Sequence, residues 1–179
     1  MVTIKSQKSF TLIELLVVIS IIGLLAAAGL ATFTSAQKRA RDARRKSDLH
    51  NVSLALEQYY AANQTYKVTG GGWRGGGNGW LSISNGNPLS YPKSVTQVLY
   101  EDGYLTNANI EDPKGPGSSR AYMIYLCDSN QVYSLYATLE NGTAEELDFA
   151  KNHTCAGSVT LPPGGGGYGK NYAVSNQYL

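Results

Sequence analysis

One carboxylate stands where carboxylates are costly. Glu14 lies four residues into an almost unbroken run of Leu, Ile, Val and Ala over residues 10–33, and an acid at the centre of such a helix costs about 2.5–3.5 kcal/mol on insertion scales. Acids in apolar spans either pair with a cation or serve a function. No Lys or Arg lies between Phe10 and Phe33, so a partner within the span must come from elsewhere, and the α-amine of a cleaved N-terminus has the right charge. The competing reading keeps Glu14 hydrated at a membrane surface. The other reactive residue types are sparse. The two cysteines, Cys127 and Cys155, form no Cys-x-x-Cys pair and have no histidine at ligand spacing, which argues against zinc and thioredoxin-like chemistry. In an exported head they would form one disulfide, whose loop of about 28 residues would stabilise the fold by roughly 3–4 kcal/mol. His50 and His153 have no nucleophile or carboxylate placed beside them by motif, so no catalytic constellation and no enzyme are expected. The glycine runs lack the strand and helix context of a phosphate-binding loop.

The elements that must carry Glu14 are legible in the hydropathy. Residues 10–33, at 1.5 Å per residue, make a helix of roughly 36 Å, enough to cross a hydrocarbon core of about 30 Å. Before it, residues 1–9 hold Lys5 and Lys8 and no acid, the composition of a short cytoplasmic leader. A secretory signal peptide cut near Ala26-Ala27-Ala28 or Gly29-Leu30-Ala31 is disfavoured by Glu14 and by the length of the run. A plain single-pass anchor is the other rival. Beyond Phe33, Ala36, Ala40, Ala43, Leu49, Val52, Leu56 and Tyr59 or Tyr60 recur at spacings of three and four, and no Pro or Gly interrupts residues 31–62. One helix of about 50 residues is expected, with residues 34–62 an amphipathic half that lays its apolar stripe on a head.

Six of the 15 basic residues fall in the run Lys38, Arg39, Arg41, Arg44, Arg45 and Lys46. The formal net charge is only +2, so the local cluster matters more than the total. It reads as a solvated face relieved by Asp42–Lys46 and Arg44–Asp48 pairs, or as a contact for anionic membrane lipid or for acidic surfaces of neighbouring subunits. Nucleic acid is not the expected partner, because no aromatic residues interleave the run.

The stretch Ser9-Phe10-Thr11-Leu12-Ile13-Glu14-Leu15-Leu16 resembles the processing signature of type IV prepilins and type II secretion pseudopilins. The resemblance implies cleavage between Ser9 and Phe10 by a prepilin peptidase, N-methylation of Phe10, and pairing of Glu14 with the N-terminus of a neighbouring subunit. It further implies self-polymerisation with pilin or pseudopilin subunits, an assembly ATPase and a membrane platform as partners, and a head outside the cytoplasm on a cytoplasmic-membrane anchor. Two residues or groups depart from that pattern. Ser9 stands where the family almost always has Gly, and the basic run just after the span would by charge alone keep the C-terminal side in the cytoplasm.

Residues 63–179 form the expected head. The run from Gly70 to Trp80 reads as a flexible loop, whose Trp73 and Trp80 either pack back on the head or stack on sugars. Ser94-x-x-Gln97 followed by Gly103 brackets a short helix, and the β-rich stretches 122–127 and 131–139 around Asp128-Ser129-Asn130 read as an antiparallel hairpin. The tail from about Glu140 reads as less regular. The Asp112-Pro113-Lys114-Gly115 turn before the hairpin resembles the major pseudopilins, which often bind calcium in a late loop. The acids here, Asp128, Glu140, Glu145, Glu146 and Asp148, do not map onto that spacing, so no cofactor is assigned and calcium stays open. The expected fold is α+β and pilin-like, a long N-terminal helix on a small antiparallel sheet. The functional alternative is a membrane-anchored extracytoplasmic glycan-binding module built on Trp73 and Trp80.

Overall fold

The computed structural model describes residues 10–83, 90–115, 121–160 and 168–178 and, within these, the side chains of all but 27–32, 157–158 and 178. The leader at 1–9 and the Pro/Gly segment at 161–167 lie outside the described residues. The chain divides into two compact units, one ending at Lys38 and one beginning at Arg39.

Helix α1 runs Leu12–Asn63. Thr11 starts it: its hydroxyl accepts from the Glu14 amide at 3.2 Å, and the Glu14 carboxylate accepts from the Thr11 amide at 2.9 Å, a reciprocal capping box. It stops at Gln64, which turns to φ 57 while its amide still donates to the Tyr60 carbonyl at 2.8 Å. In the first unit the side chains described for Leu12 to Ala26 and from Phe33 onward are exposed, Leu12 at 85% and Leu24 at 73%. Among the described residues no helix is long and apolar enough to cross a membrane. The apolar run with described side chains ends at Ala26, short of the roughly 20 residues a span requires.

In the second unit the buried face of α1 is Asp42, Arg45, Leu49, Val52, Leu56 and Tyr59. The spacing of three and four is as expected, but the stripe begins on an ion pair, and Ala36, Ala40 and Ala43 are exposed. Charged residues that find partners in a core break the rule that polar positions mark the solvent face.

Four strands form one antiparallel sheet in chain order: β1 Gly79–Trp80, β2 Met123–Cys127, β3 Val132–Ala137 and β4 Tyr172–Ser175. The hairpin β2–β3 pairs Met123 with Tyr136 through to Cys127 with Val132. Its connection holds Asp128, Ser129 and Asn130 all at positive φ, which short polar side chains tolerate better than bulky ones. Successive residues point to opposite faces. Ile124, Tyr133, Leu135 and Ala137 pack with α1 and with α2, Val95–Glu101, whereas Met123, Tyr136 and Ala173 pack with α3, Ala144–Asn152, through Ala150 and Phe149. Fully burying a side chain such as Leu49 or Ile124 contributes about 1.5–3 kcal/mol. The result is the expected α+β architecture.

Helix α2 begins at Ser94, whose hydroxyl accepts from the Gln97 amide at 3.1 Å, and stops before Gly103 at φ +82. The tail is more regular than its composition implies. Thr143 and Glu146 close a full capping box on α3, and β4 adds a fourth strand. The glycine loop is not flexible in the expected sense either. Trp73 donates its amide to Asn78 at 2.6 Å, Gly77 to Gly71 at 2.8 Å and Gly72 to Lys93 at 2.9 Å. Its glycines are there for close approach: a Cβ on Gly72, at φ +72, would lie 2.5 Å from the Asn78 carbonyl.

Candidate functional site

The N-terminal signature is carried by the first turn of α1. Ser9 lies outside the described residues, and Phe10 is 82% exposed. Glu14 is not without local partners, as its place in an apolar run suggested. Its Oε2 accepts both the amide and the hydroxyl of Thr11, at 2.9 and 2.8 Å. The signal was present in the spacing Thr11-x-x-Glu14, the same pattern that marks α2 and α3. Among the described residues no cation pairs with Glu14 and no donor reaches its Oε1.

The basic run has been drawn into the head. Arg45 is 1% exposed and grips Asp112 with two bonds, Nε to Oδ2 at 2.6 Å and Nη2 to Oδ1 at 2.9 Å. Its Nη1 donates to Asp42 at 2.7 Å and to Glu140 at 3.1 Å. Arg41 makes a second forked pair with Glu140, at 2.6 and 2.9 Å, and Lys114 reaches the same carboxylate at 2.7 Å. Lys46 pairs with Glu146 at 2.5 Å instead of with Asp42. Of the two expected local pairs only Arg44–Asp48 is present, at 3.9 Å. The Arg41 fork, helped by Lys114 and Arg45, holds the Glu140 carboxyl well below the usual carboxylate range. Burial pushes Asp42 up, but the amides of Glu140 and Asn141 and the Arg45 guanidinium outweigh it and hold it low. Lys38, Arg39 and Arg44 remain exposed for other partners.

A buried ion pair is weak evidence for net stability, because desolvation offsets attraction, but it is specific in geometry. Arg45 cannot shift by one helical turn on the head without leaving Asp112 buried and unpaired, and the same shift would pull Asp42 away from the Glu140 and Asn141 amides. The cluster therefore fixes the register of α1 on the sheet. The Asp112-Pro113-Lys114-Gly115 turn has a role beyond turning: the Gly115 amide bonds the Asp112 carbonyl at 2.8 Å, and the Lys114 amide bonds Asp112 Oδ1 at 2.9 Å, aiming the carboxylate at Arg45.

Cys127, at the end of β2, is joined to Cys155, just beyond α3, by a disulfide. Of the late-loop acids, Glu140 and Glu146 are committed to the pairs above, and among the described residues no group of three or more His, Cys, Asp or Glu is placed to hold a metal. Trp80 is half-buried on β1, while Trp73 is 46% exposed.

A helix that is apolar and exposed in its first unit and clamped to a four-stranded antiparallel sheet in its second defines a pilin-like filament subunit. Residues 4–30 match the prokaryotic N-terminal methylation motif. Over 128 residues the chain is 30% identical to the type II secretion system core protein G of Pseudomonas aeruginosa (strain PAO1), a match spanning 68% of this chain and 82% of that protein. No solved structure matches. The chain belongs to the type IV pilin and type II secretion pseudopilin family, and it is a structural filament subunit processed by prepilin peptidase. Members of this family are membrane-anchored and polymerise with other pilin subunits outside the cytoplasm.

Proposed function

We propose that prepilin peptidase cuts this chain between Ser9 and Phe10, that Phe10 becomes the methylated N-terminus, and that Glu14 then receives the α-amine of a neighbouring subunit. The observation that carries this reading is the asymmetry of Glu14: Oε2 is held by Thr11, and Oε1 accepts no bond among the described residues. A carboxylate pinned on one oxygen is already oriented for a cation on the other. The exposed apolar side chains of α1 supply the second half of the argument, since so much apolar surface is stable only in lipid or against other such helices. The helix anchors the precursor in the cytoplasmic membrane with its head outside. An assembly ATPase and a membrane platform then drive its transfer into the filament, where the Glu14–amine pair sets the stagger between subunits.

Mass spectrometry of the mature N-terminus from native cells tests the processing step. An N-methylated Phe10 is expected. An intact Met1 would mean a plain anchor, and a start near Gly29 or Thr32 would mean an ordinary signal peptide; either removes the proposed assembly mechanism.

A further inference from the structure

Both tryptophans of the chain meet at one cavity of about 310 Å³ on the head. Its walls are Trp73, Trp80, Tyr91, Tyr125, Tyr168 and Asn78. The rings are locked to one another, Trp73 edge-on to Tyr91 at 5.5 Å and Trp80 edge-on to Tyr168 at 4.8 Å between centroids. The backbone beneath them is equally fixed. Trp73 and Asn78 are tied amide to carbonyl, the Trp80 amide donates to the Tyr91 hydroxyl at 3.1 Å, and a Cβ on Gly79 would overlap that hydroxyl. A loop so constrained presents its indole ready-placed, which lowers the ordering cost of binding.

Packing accounts for Trp80 and Tyr125, which lie against the core, and for the buried Tyr91, but not for Trp73 and Tyr168. Among the described residues of the head, the large exposed apolar side chains are Leu54, Trp73, Tyr100 and Tyr168, and two of these four stand at this one cavity. Polar groups accompany them. Asn78 uses Oδ1 to accept from the Leu126 amide at 2.7 Å, and its Nδ2 has no partner among the described residues. The hydroxyls of Tyr125 and Tyr168 likewise have none. Burial holds the Tyr125 phenol above its ordinary value, so it is a neutral donor and acceptor.

A ligand for this cavity needs a flat apolar face for the rings and hydroxyls at its edge for the amide and phenols. A purely apolar side chain would leave those polar groups desolvated and unpaired. A quaternary ammonium suits an aromatic cage, but among the described residues no carboxylate lines this one, and the Arg74 guanidinium already lies 5.3 Å from the Trp73 ring. A stacked nucleobase comes with a basic groove that tracks several phosphates, whereas among the described residues a single exposed guanidinium, Arg74, lies against these indoles. The volume is at the lower end of the range for ligand pockets, which fits one ring and not a longer chain. We infer that this cavity is a carbohydrate site that takes a single pyranose unit of a glycan, with Trp73 and Trp80 against its apolar face and Tyr125, Tyr168 and Asn78 on its hydroxyls.

Because every indole in the chain lines the cavity, intrinsic tryptophan emission reads this site alone. Full-length protein in a polyoxyethylene detergent, which carries no sugar, is titrated with the methyl glycosides of glucose, galactose, mannose and N-acetylglucosamine, and separately with choline and with adenosine monophosphate. At least one glycoside is expected to give a saturable change in the millimolar range. Tyr125→Phe and Tyr168→Ala retain both indoles, and each is expected to weaken that binding by at least about tenfold with an unchanged far-ultraviolet circular dichroism spectrum. No saturable response to any glycoside would overturn the assignment, as would sugar binding that survives both substitutions. Tighter binding of choline or of the nucleotide would reassign the cavity to that ligand class and equally overturn it.

Discussion

A carboxylate in an apolar helix and a guanidinium in a protein core both need partners before either is tolerated. Glu14 has half of what it needs from Thr11, and in the proposed assembly its charge is met by another chain. Glu14→Gln keeps a side chain that can close the capping box and removes the charge. It is expected to leave the protein in the membrane but to reduce its incorporation into filaments, measured by fractionation and by shearing filaments from cells; normal filaments would show that the charge has no assembly role. Arg45 has all its partners within the chain. Arg45→Met leaves Asp112 and Asp42 buried without their cation, and a loss of roughly 3–5 kcal/mol is expected, read by thermal unfolding of the full-length protein in detergent through its tyrosine near-ultraviolet signal. A loss below about 1 kcal/mol, the range of exposed pairs, would mean that the guanidinium is solvated.

At the scale of elements, propensity and capping predicted what was local. The Ser94 cap, the Gly103 stop and the Asp128-Ser129-Asn130 hairpin connection all rest on residues within a few positions of one another, and the structure has them. Helix α3 was missed although Thr143-x-x-Glu146 is the same capping signature, because the glycine- and proline-rich sequence after it masked the short periodic segment. The glycine loop was misjudged for a different reason. Composition counts the freedom of glycine in the unfolded chain but not the hydrogen bonds that remove it. Gly72→Ala is expected to destabilise the head by about 1–3 kcal/mol, since the new Cβ meets the Asn78 carbonyl. Gly70→Ala also sits at positive φ but meets nothing within 4 Å, and it should cost less. Limited proteolysis of the loop in the two variants orders them, and equal susceptibility would remove the role given to close approach at Gly72.

For the whole molecule, the buried charges set a pH profile. Lys170 is fully buried, donates to the Ala121 carbonyl at 2.7 Å, and is pushed down to about 7 by burial. The unfolded chain would hold that proton up to about pH 10.4, so between about pH 7 and 10 the unfolded state binds more protons and stability rises with pH. Above about pH 10 the buried phenols reverse the slope, because Tyr122 and Tyr133 are pushed up by burial and resist ionising while the unfolded chain ionises freely. On the acid side Asp42 and Glu140 are held low, so their contribution is complete above about pH 4.5 and is lost as pH falls toward their folded values. Thermal unfolding followed across pH is therefore expected to show a maximum on the alkaline side of neutrality. Lys170→Met should flatten the rise above pH 7 while leaving the acid limb unchanged; an unaltered profile would mean that the lysine is charged in the fold. Reduction of Cys127–Cys155 should lower stability by roughly 3–4 kcal/mol, without loss of membrane association.

What the sequence by itself determined rests on neighbours along the chain, although the local cap of α3 shows that not every such signal stands out. That covers the apolar run with its one acid, the processing signature around Phe10, the single long helix and the hairpin, because periodicity, capping and an uninterrupted helix former are local properties. Tertiary structure decided which charges are solvated and which are buried. Asp42 and Arg45 look like surface residues until Asp112 and Glu140, 67 and 95 positions away from Arg45, are brought against them. It also decided that two tryptophans seven positions apart in the chain share one cavity with Tyr91, Tyr125 and Tyr168. Contacts between residues so distant in sequence are set by the sheet register and by the packing of its two faces, and no local pattern encodes them.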